Sequence, residues 1–595
     1  MKLRITCPGL LQSRGRRRQE ALKSLNNESC YLGSYGNCSS SLLTALFAVA
    51  VGASSAQSAT IGSPSLDSKP YLNAVRKFAD TVLEHGRDTY GQQHTPLFVD
   101  GLQVETLEPV RWKEGGETWV LCNFASQQAL MRTLDGLTGL TKDKRYRQSA
   151  EDATRYVLTH LTSPSGLIYW GGHMAWDLDG ERVVGQYPDV HEFKRHQPYF
   201  PLLWRVDAKA TRRLLEAIWA THLVDWSRLD YNRHAKTEKL VQPPWDHPFE
   251  ENIEVPFLTD KQNLSFALVT PSLIDAGTSL AVLGKDKNAL LWTRRLAYRW
   301  EQCRDPKTGL SGGQLSYHTR DRAQDTLGHV HPNINEAKIV ATYHRKGRYQ
   351  DIPLAEMQAA EQLIAAGGER AKVGKEFVRW ASEDLKTYGK YCYEPKSERF
   401  IAMMTDGTPI RWQEARKGYY SPESFEPAEP DGYILWNYAL AYRLTQDEAH
   451  WNMARQLAKS LQLGDIGQPK SSGRQLGFTT AAANWQYIYV LLELAKATGD
   501  RNFLKLACCV GDNLLQTQTR TGLFPREGRL YARTGDEVPL ALLHLTATLD
   551  GKASRLPPPM LDNGYLHAEY EGTEGANPNI KDKRTYDRFV FYGDR

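Results

Sequence analysis

The chain has 595 residues, of which 41% are hydrophobic and 24% charged, enough to bury a large core in several domains or in one helical ring. Its net charge of +5 arises entirely within residues 1–41, which hold seven Lys/Arg and two Glu, while the rest carries 67 basic and 67 acidic groups. A neutral body with scattered charge argues against nucleic acid as the main partner.

The first forty residues are basic, Ser-rich and poor in apolar periodicity. Leu42 to Ala53 is a short apolar run, followed by the small residues from Ser54 to Ala59. That order resembles the apolar region and cleavage site of an export signal, and the run is too short to span a bilayer. Arg16-Arg17-Arg18 resembles a twin-arginine signal but lies far from the run, and a misassigned start codon accounts for the long leader equally well. Residues 1–59 are read as the leader, 60–556 as one helical domain and 557–595 as a polar tail packed on it. The expected location is the periplasm or the cell exterior, with no stable membrane span. Beyond the leader the cysteines are Cys122, Cys303, Cys392, Cys508 and Cys509, an odd and scattered set that is no disulfide framework.

The body opens with a helix. Ser68 is placed to cap it, Pro70 suits its first turn, and Tyr71, Val75, Phe78, Ala79 and Val82 recur on one face. Residues 90–120 are punctuated by Gly and Pro. Two further helices are expected at about 123–138 and 143–161. A repeat then emerges: Asp143, Asp286 and Asp500 each start a helix that ends at Gly166-Leu167, Gly309-Leu310 and Gly522-Leu523, and Asp447 starts a fourth without the closing Gly-Leu. Helix pairs repeated in this way form solenoids or α/α toroids. The expected fold is all-α, a toroid or barrel of about seven helical hairpins built from twelve to fourteen helices. Long aromatic- and Gly-rich insertions at 163–205, 228–270, 305–333 and 390–432 are expected to gather at one mouth with short β-hairpins and to carry function.

Three groups in the first insertions carry chemistry. His173 follows Trp170-Gly171-Gly172, where the glycines let backbone approach a ligand and the Trp can stack on a sugar. His191, Glu192 and His196 are read at the start of a helix, and any of them could join His173 on a divalent cation. Arg233-His234 follows a helix at 211–227, in a turn. An arginine beside a metal ligand points to a cation and a guanidinium facing one acidic substrate. For each of these groups alone the simpler reading is structural: a hydrogen-bonded histidine, a capped helix start, a surface ion pair.

Together the Trp-Gly-Gly-His, His-Glu-x-Lys-x-His and Arg-His runs resemble polysaccharide lyase family 2, the pectate lyases and pectate disaccharide-lyases with an (α/α)7 barrel. The likeness covers 68–550 in helical layout, and its specific part is 165–235. It implies that His173, Glu192 and His234 ligate a divalent transition metal, Mn2+ ahead of Ni2+, Co2+ or Ca2+, and that Arg233 is the Brønsted base. It implies β-elimination on polygalacturonate, giving unsaturated oligogalacturonides. His191 and His196 leave the ligand set open. Substrate contacts are expected from Trp170, Lys194, Arg195, His196, Tyr419, Tyr420, Arg526 and Arg529. Two other function classes compete: a glycoside hydrolase or epimerase using Glu423, Asp431 or Asp100, and a non-catalytic glycan-binding protein with an aromatic platform. No phosphate-binding loop is present, and Gly309-Leu310-Ser311-Gly312-Gly313 follows a helix, which excludes a nucleophile elbow.

Overall fold

The computed structural model describes residues 66–559 and 590–591, apart from 115–116, 186, 239–243, 262–263, 320–321, 330, 343–347, 412–424, 471–472 and 527–528. The leader and most of the polar tail lie outside the described residues.

Fifteen α-helices are found among the described residues: α1 (Lys69–His85), α2 (Gln128–Thr141), α3 (Lys144–His160), α4 (Phe200–Val206), α5 (Ala208–His222), α6 (Thr270–Leu283), α7 (Lys287–Gln302), α8 (Arg322–Leu327), α9 (Arg348–Ala366), α10 (Gly368–Cys392), α11 (Gly432–Thr445), α12 (Glu448–Ser460), α13 (Trp485–Thr498), α14 (Asn502–Gln516) and α15 (Val538–Leu549). They sort into two rings by burial. α2, α6, α11, α13 and α15 are buried around most of their circumference, as inner helices must be. α3, α5, α7, α12 and α14 bury one face only, through residues such as Tyr146, Trp219, Trp292, Trp451 and Phe503.

Each inner helix except α15 is followed by an outer one after no more than three residues. These turns are tight because Lys142, Lys285, Gln446 and Gly499 adopt left-handed backbone, and Asp143, Asp286 and Asp447 then cap the outer helices. Asp500 accepts from Asn502 N in the same way. Gly166, Gly309 and Gly522 all have positive φ, so the repeat read in the sequence is the outer-ring unit. Six pairs arise in this way, with α8 lying in a loop. The seventh consists of the last helix, α15, packed on the first, α1, and on α2. The helical series therefore comes round on itself as a toroid of seven pairs.

This alternation also explains the loops. Outer helices end, and inner helices begin, at one mouth, so the described parts of the long segments 161–199, 223–269, 303–347 and 393–431 collect there. They carry short strands, each in a sheet of two or three strands. The 223–258 segment is pinned to the outer ring by Trp219, Trp226, Trp245 and Trp292, with Trp292 Nε1 donating to Trp245 O at 3.0 Å.

Two local expectations are corrected. Ser68 does not cap α1; its hydroxyl donates to Asp550 Oδ1 at 2.6 Å and ties the first helix to the last. The helix placed at 211–227 runs from Ala208 to His222, and the chain then turns through a bulged hairpin, Leu223–Asp225 against Asp230–Tyr231.

Candidate functional site

Val190–Glu192 is a strand, not the start of a helix. It pairs antiparallel with His234–Lys236, and the registry sets Glu192 opposite His234 and His191 opposite Ala235. This non-local pairing overrides the local pattern, and the helix begins only at Phe200, with Pro201 in its first turn. Phe193 N donates to Arg233 O on the next rung, so Glu192 and His234 form the rung without mutual hydrogen bonds, where side chains lie closest.

His173 reaches the same point from the preceding loop. Gly171 and Gly172 allow this, but what approaches their backbone closely is Glu192: a Cβ on Gly171 would strike its carbonyl, and one on Gly172 its carboxylate. Gly172 N donates to Glu192 O at 3.1 Å. Asn123 clamps the loop from behind, accepting from Gly171 N at 3.2 Å and donating to Gly171 O at 2.9 Å. Asp100 in turn accepts from Asn123 N and Gln127 Nε2.

The three side chains converge. His173 Nε2 is 3.0 Å from His234 Nε2, and these atoms lie 3.6 and 3.3 Å from Glu192 Oε1. Among the described residues this is the one group of three or more His, Cys, Asp or Glu arranged to hold a metal ion. Arg233 Nε lies 3.1 Å from both Glu192 Oε1 and His234 Nε2, with its guanidinium over the Phe266 ring. Lys194 Nζ is 2.6 Å from Glu192 Oε1 and the side chain is buried, so Lys194 is not a solvated surface charge. Burial, followed by the charges of Arg233 and Lys194, pushes the His234 imidazole down to about 4. His234 is therefore neutral near pH 7, the form that ligates cations.

The other candidates go elsewhere. His196 is buried, accepts from Lys194 N through Nδ1 and stacks on Phe193; it contributes neither a ligand nor an open face for substrate. His191 points to the opposite side of its strand, toward His222. Trp170 is fully buried and stacked on Phe124, a core residue and not a sugar platform. Arg195 is buried against Asp351 at 2.9 Å and over Tyr433, at the start of α9 and α11. Arg526 and Arg529 lie together in the loop before α15, where Arg526 lies near Asp536 and Glu537. Tyr419, Tyr420 and Glu423 lie outside the described residues. Asp431 caps α11 and Asp100 serves backbone and Gln127, so both carboxylates proposed for hydrolysis have structural work. Sequence reasoning missed Asn123, His222 and Phe266, whose roles depend on contacts across the fold and leave no spacing signal.

The family model described as periplasmic pectate lyase matches residues 95–569. A pectate disaccharide-lyase of Dickeya dadantii (strain 3937) is 27% identical over 530 residues, covering 84% of this chain and 93% of that one. Among solved structures, a D-mannose isomerase has a TM-score of 0.36 at 12% identity, covering 66% of this chain and 86% of that chain. A family 76 glycoside hydrolase from a bovine Bacteroides thetaiotaomicron strain has a TM-score of 0.36 at 10% identity, covering 81% and 78%.

Proposed function

The chain belongs to the periplasmic pectate lyase family, and on that premise we propose that it is a metal-dependent pectate lyase, cleaving 1,4-linked galacturonan by β-elimination to unsaturated oligogalacturonides. The observation that carries this reading is the meeting of His173, Glu192 and His234 with Arg233 at one point.

The donor set fits a divalent cation. Ligand bonds of about 2.0–2.2 Å put neighbouring donor atoms about 2.8–3.6 Å apart, whether the angles are square or tetrahedral. The three separations here are 3.0, 3.3 and 3.6 Å. Two imidazoles and one carboxylate favour a transition metal over an all-oxygen ion, and we propose Mn2+, with Ni2+, Co2+ and Ca2+ as alternatives. When bound, such an ion supplies positive charge beside the uronate carboxylate and acidifies the proton at C5.

The chain's own residues supply the rest. Arg233 takes the C5 proton, the C5–H electron pair forms the C4–C5 double bond, and the leaving C4 oxygen departs with the electrons of its bond and takes a proton from water. A guanidinium is a poor base because its neutral form is costly. Here Arg233 and Lys194 share one counter-charge, Glu192 Oε1. Were Glu192 to hold a cation, its charge would no longer be available to both side chains, and the like charge of Lys194 would favour a neutral Arg233. Lys194 holds Glu192 in place, and Phe266 backs the guanidinium and limits its motion. Export to the periplasm or beyond follows the family and the apolar run at 42–53, and no described helix is long and apolar enough to cross a membrane.

The test uses the chain without residues 1–59, polygalacturonate and Mn2+, followed at the absorbance of the unsaturated uronate. A rise abolished by chelator is expected. Reducing ends without that absorbance would replace this reading with hydrolysis, and binding without either product would leave a glycan-binding protein.

A further inference from the structure

His222 ends α5, is fully buried, and touches none of the three ligand candidates in the contacts above. Its Nδ1 is 2.7 Å from the Asn232 carbonyl oxygen, and its Nε2 is 3.1 Å from His191 Nδ1. A carbonyl only accepts, so His222 Nδ1 carries the proton and donates. In that neutral tautomer Nε2 offers a lone pair, so His191 Nδ1 is the donor in the second bond. The direction of the whole chain is fixed, from His191 through His222 to Asn232.

Both ends of this chain adjoin the site. Asn232 N also donates to His222 O at 2.8 Å, and Asn232 Oδ1 accepts from His234 N at 2.9 Å. Asn232 is thus held through three of its polar groups immediately before Arg233 and His234. At the other end His191 precedes Glu192 on the strand and faces Ala235. Phe193 packs against both rings, at 5.5 Å from His191 and 5.9 Å from His222. An apolar residue would fill the same space. Only a side chain with a donor and an acceptor at the imidazole separation joins the two segments.

We infer that His222 is a positioning residue, which holds Arg233 and His234 in register with Glu192 by anchoring the Asn232 turn and the His191 strand together. This rests on the lyase reading of Arg233 and His234.

Two variants separate positioning from packing. His222→Phe keeps volume and loses both bonds. His222→Asn is smaller, but its amide nitrogen takes the place of Nδ1 and donates to Asn232 O. Thermal midpoint, Mn2+ affinity from the electron paramagnetic resonance of the free ion, and kcat and KM on polygalacturonate are measured for each. His222→Phe is expected to lower kcat about 100-fold, to change KM less than about threefold, and to weaken Mn2+ binding about tenfold or more, as loss of a partner behind a ligand does. His222→Asn restores the bond to Asn232 but not the bond to His191, so it is expected to recover part of both and to stay below wild type. Wild-type kcat and Mn2+ affinity in His222→Phe would overturn the inference. So would equal losses in both variants that follow their thermal midpoints. If His222→Phe does not fold, a His222→Asn loss as large as that of Arg233→Ala would also overturn it. If the wild type binds Mn2+ without forming product and His222→Phe weakens that binding, the reaction is wrong and the positioning stands. A wild type that does neither sinks both.

Discussion

Gly172 lies so close to the Glu192 carboxylate that a Cβ there would occupy the space of Oε2. The glycine therefore serves the acidic residue and not the substrate. Gly172→Ala is expected to displace Glu192, reduce product formation about 100-fold or more, and leave the helical circular dichroism intact, because the clash is confined to one mouth segment outside the helices. Gly367→Ala is the contrast. Its Cβ would meet nothing within 4 Å, and the strain comes from a backbone at φ 72° and ψ −178°, a region essentially reserved for glycine. It should cost about 1–3 kcal/mol of stability and no activity. Full activity in Gly172→Ala would mean that the Glu192 position is unimportant.

The fold was legible where its signals were local. Asp143, Asp286 and Asp447 cap helices through amides two or three residues away, so their spacing exposed the outer ring. The partnership of α15 with α1 could be expected only from the repeat, because nothing near either helix records it. The site was legible as residue types and not as geometry. His191 to His196 looked helical because the pairing that makes 190–192 a strand comes from forty residues downstream. Trp170 looked like a platform because it lies among glycines, yet its burial is set by Phe124 and the core around it.

On the proposed mechanism Arg233 takes the C5 proton, so its loss should appear in kcat and not in KM. Arg233→Ala is expected to lower kcat by about 10²–10⁴-fold, the range for a general base. Arg233→Lys keeps a cation that deprotonates near 10.4 in water, against more than 12 for arginine, so its residual rate should climb with alkaline pH more steeply than that of the wild type. Steady-state rates from pH 7 to 10 decide this. A rate within tenfold of wild type in Arg233→Ala would remove the base assignment.

Glu192 and His173 should separate stability from metal affinity. Glu192 is fully buried with Lys194 at 2.6 Å and Arg233 at 3.1 Å from Oε1. Glu192→Gln leaves both cations facing a neutral amide, and in the metal-free protein it is expected to cost about 3–5 kcal/mol in urea unfolding. His173→Ala leaves the Glu192 carboxylate facing both cations and should cost less, while weakening Mn2+ binding at least as much. If His173→Ala proves the more destabilising of the two without metal, Glu192 is not the counter-charge argued for above.

Two histidines outside the site, the buried His450 and the half-buried His544, set an acid limit on the fold. His450 is fully buried with Nε2 2.7 Å from Ser382 Oγ, and burial pushes it down to about 4. Burial and then the charge of Arg132 push His544 down to about 4 as well. Unfolded histidine titrates near 6.5, so between these values the unfolded chain binds more protons than the folded one. Stability from each group is complete above about pH 6.5 and is lost as pH falls toward 4, by at most about 3 kcal/mol apiece. The urea midpoint of the metal-free protein should therefore fall between pH 7 and pH 5. His450→Leu should flatten that fall by about 1–2 kcal/mol, whatever its effect at pH 7, because it removes one group that must protonate on unfolding. An unchanged slope in the variant would mean that His450 keeps its proton in the folded protein, which a neutral ring bonded to Ser382 does not.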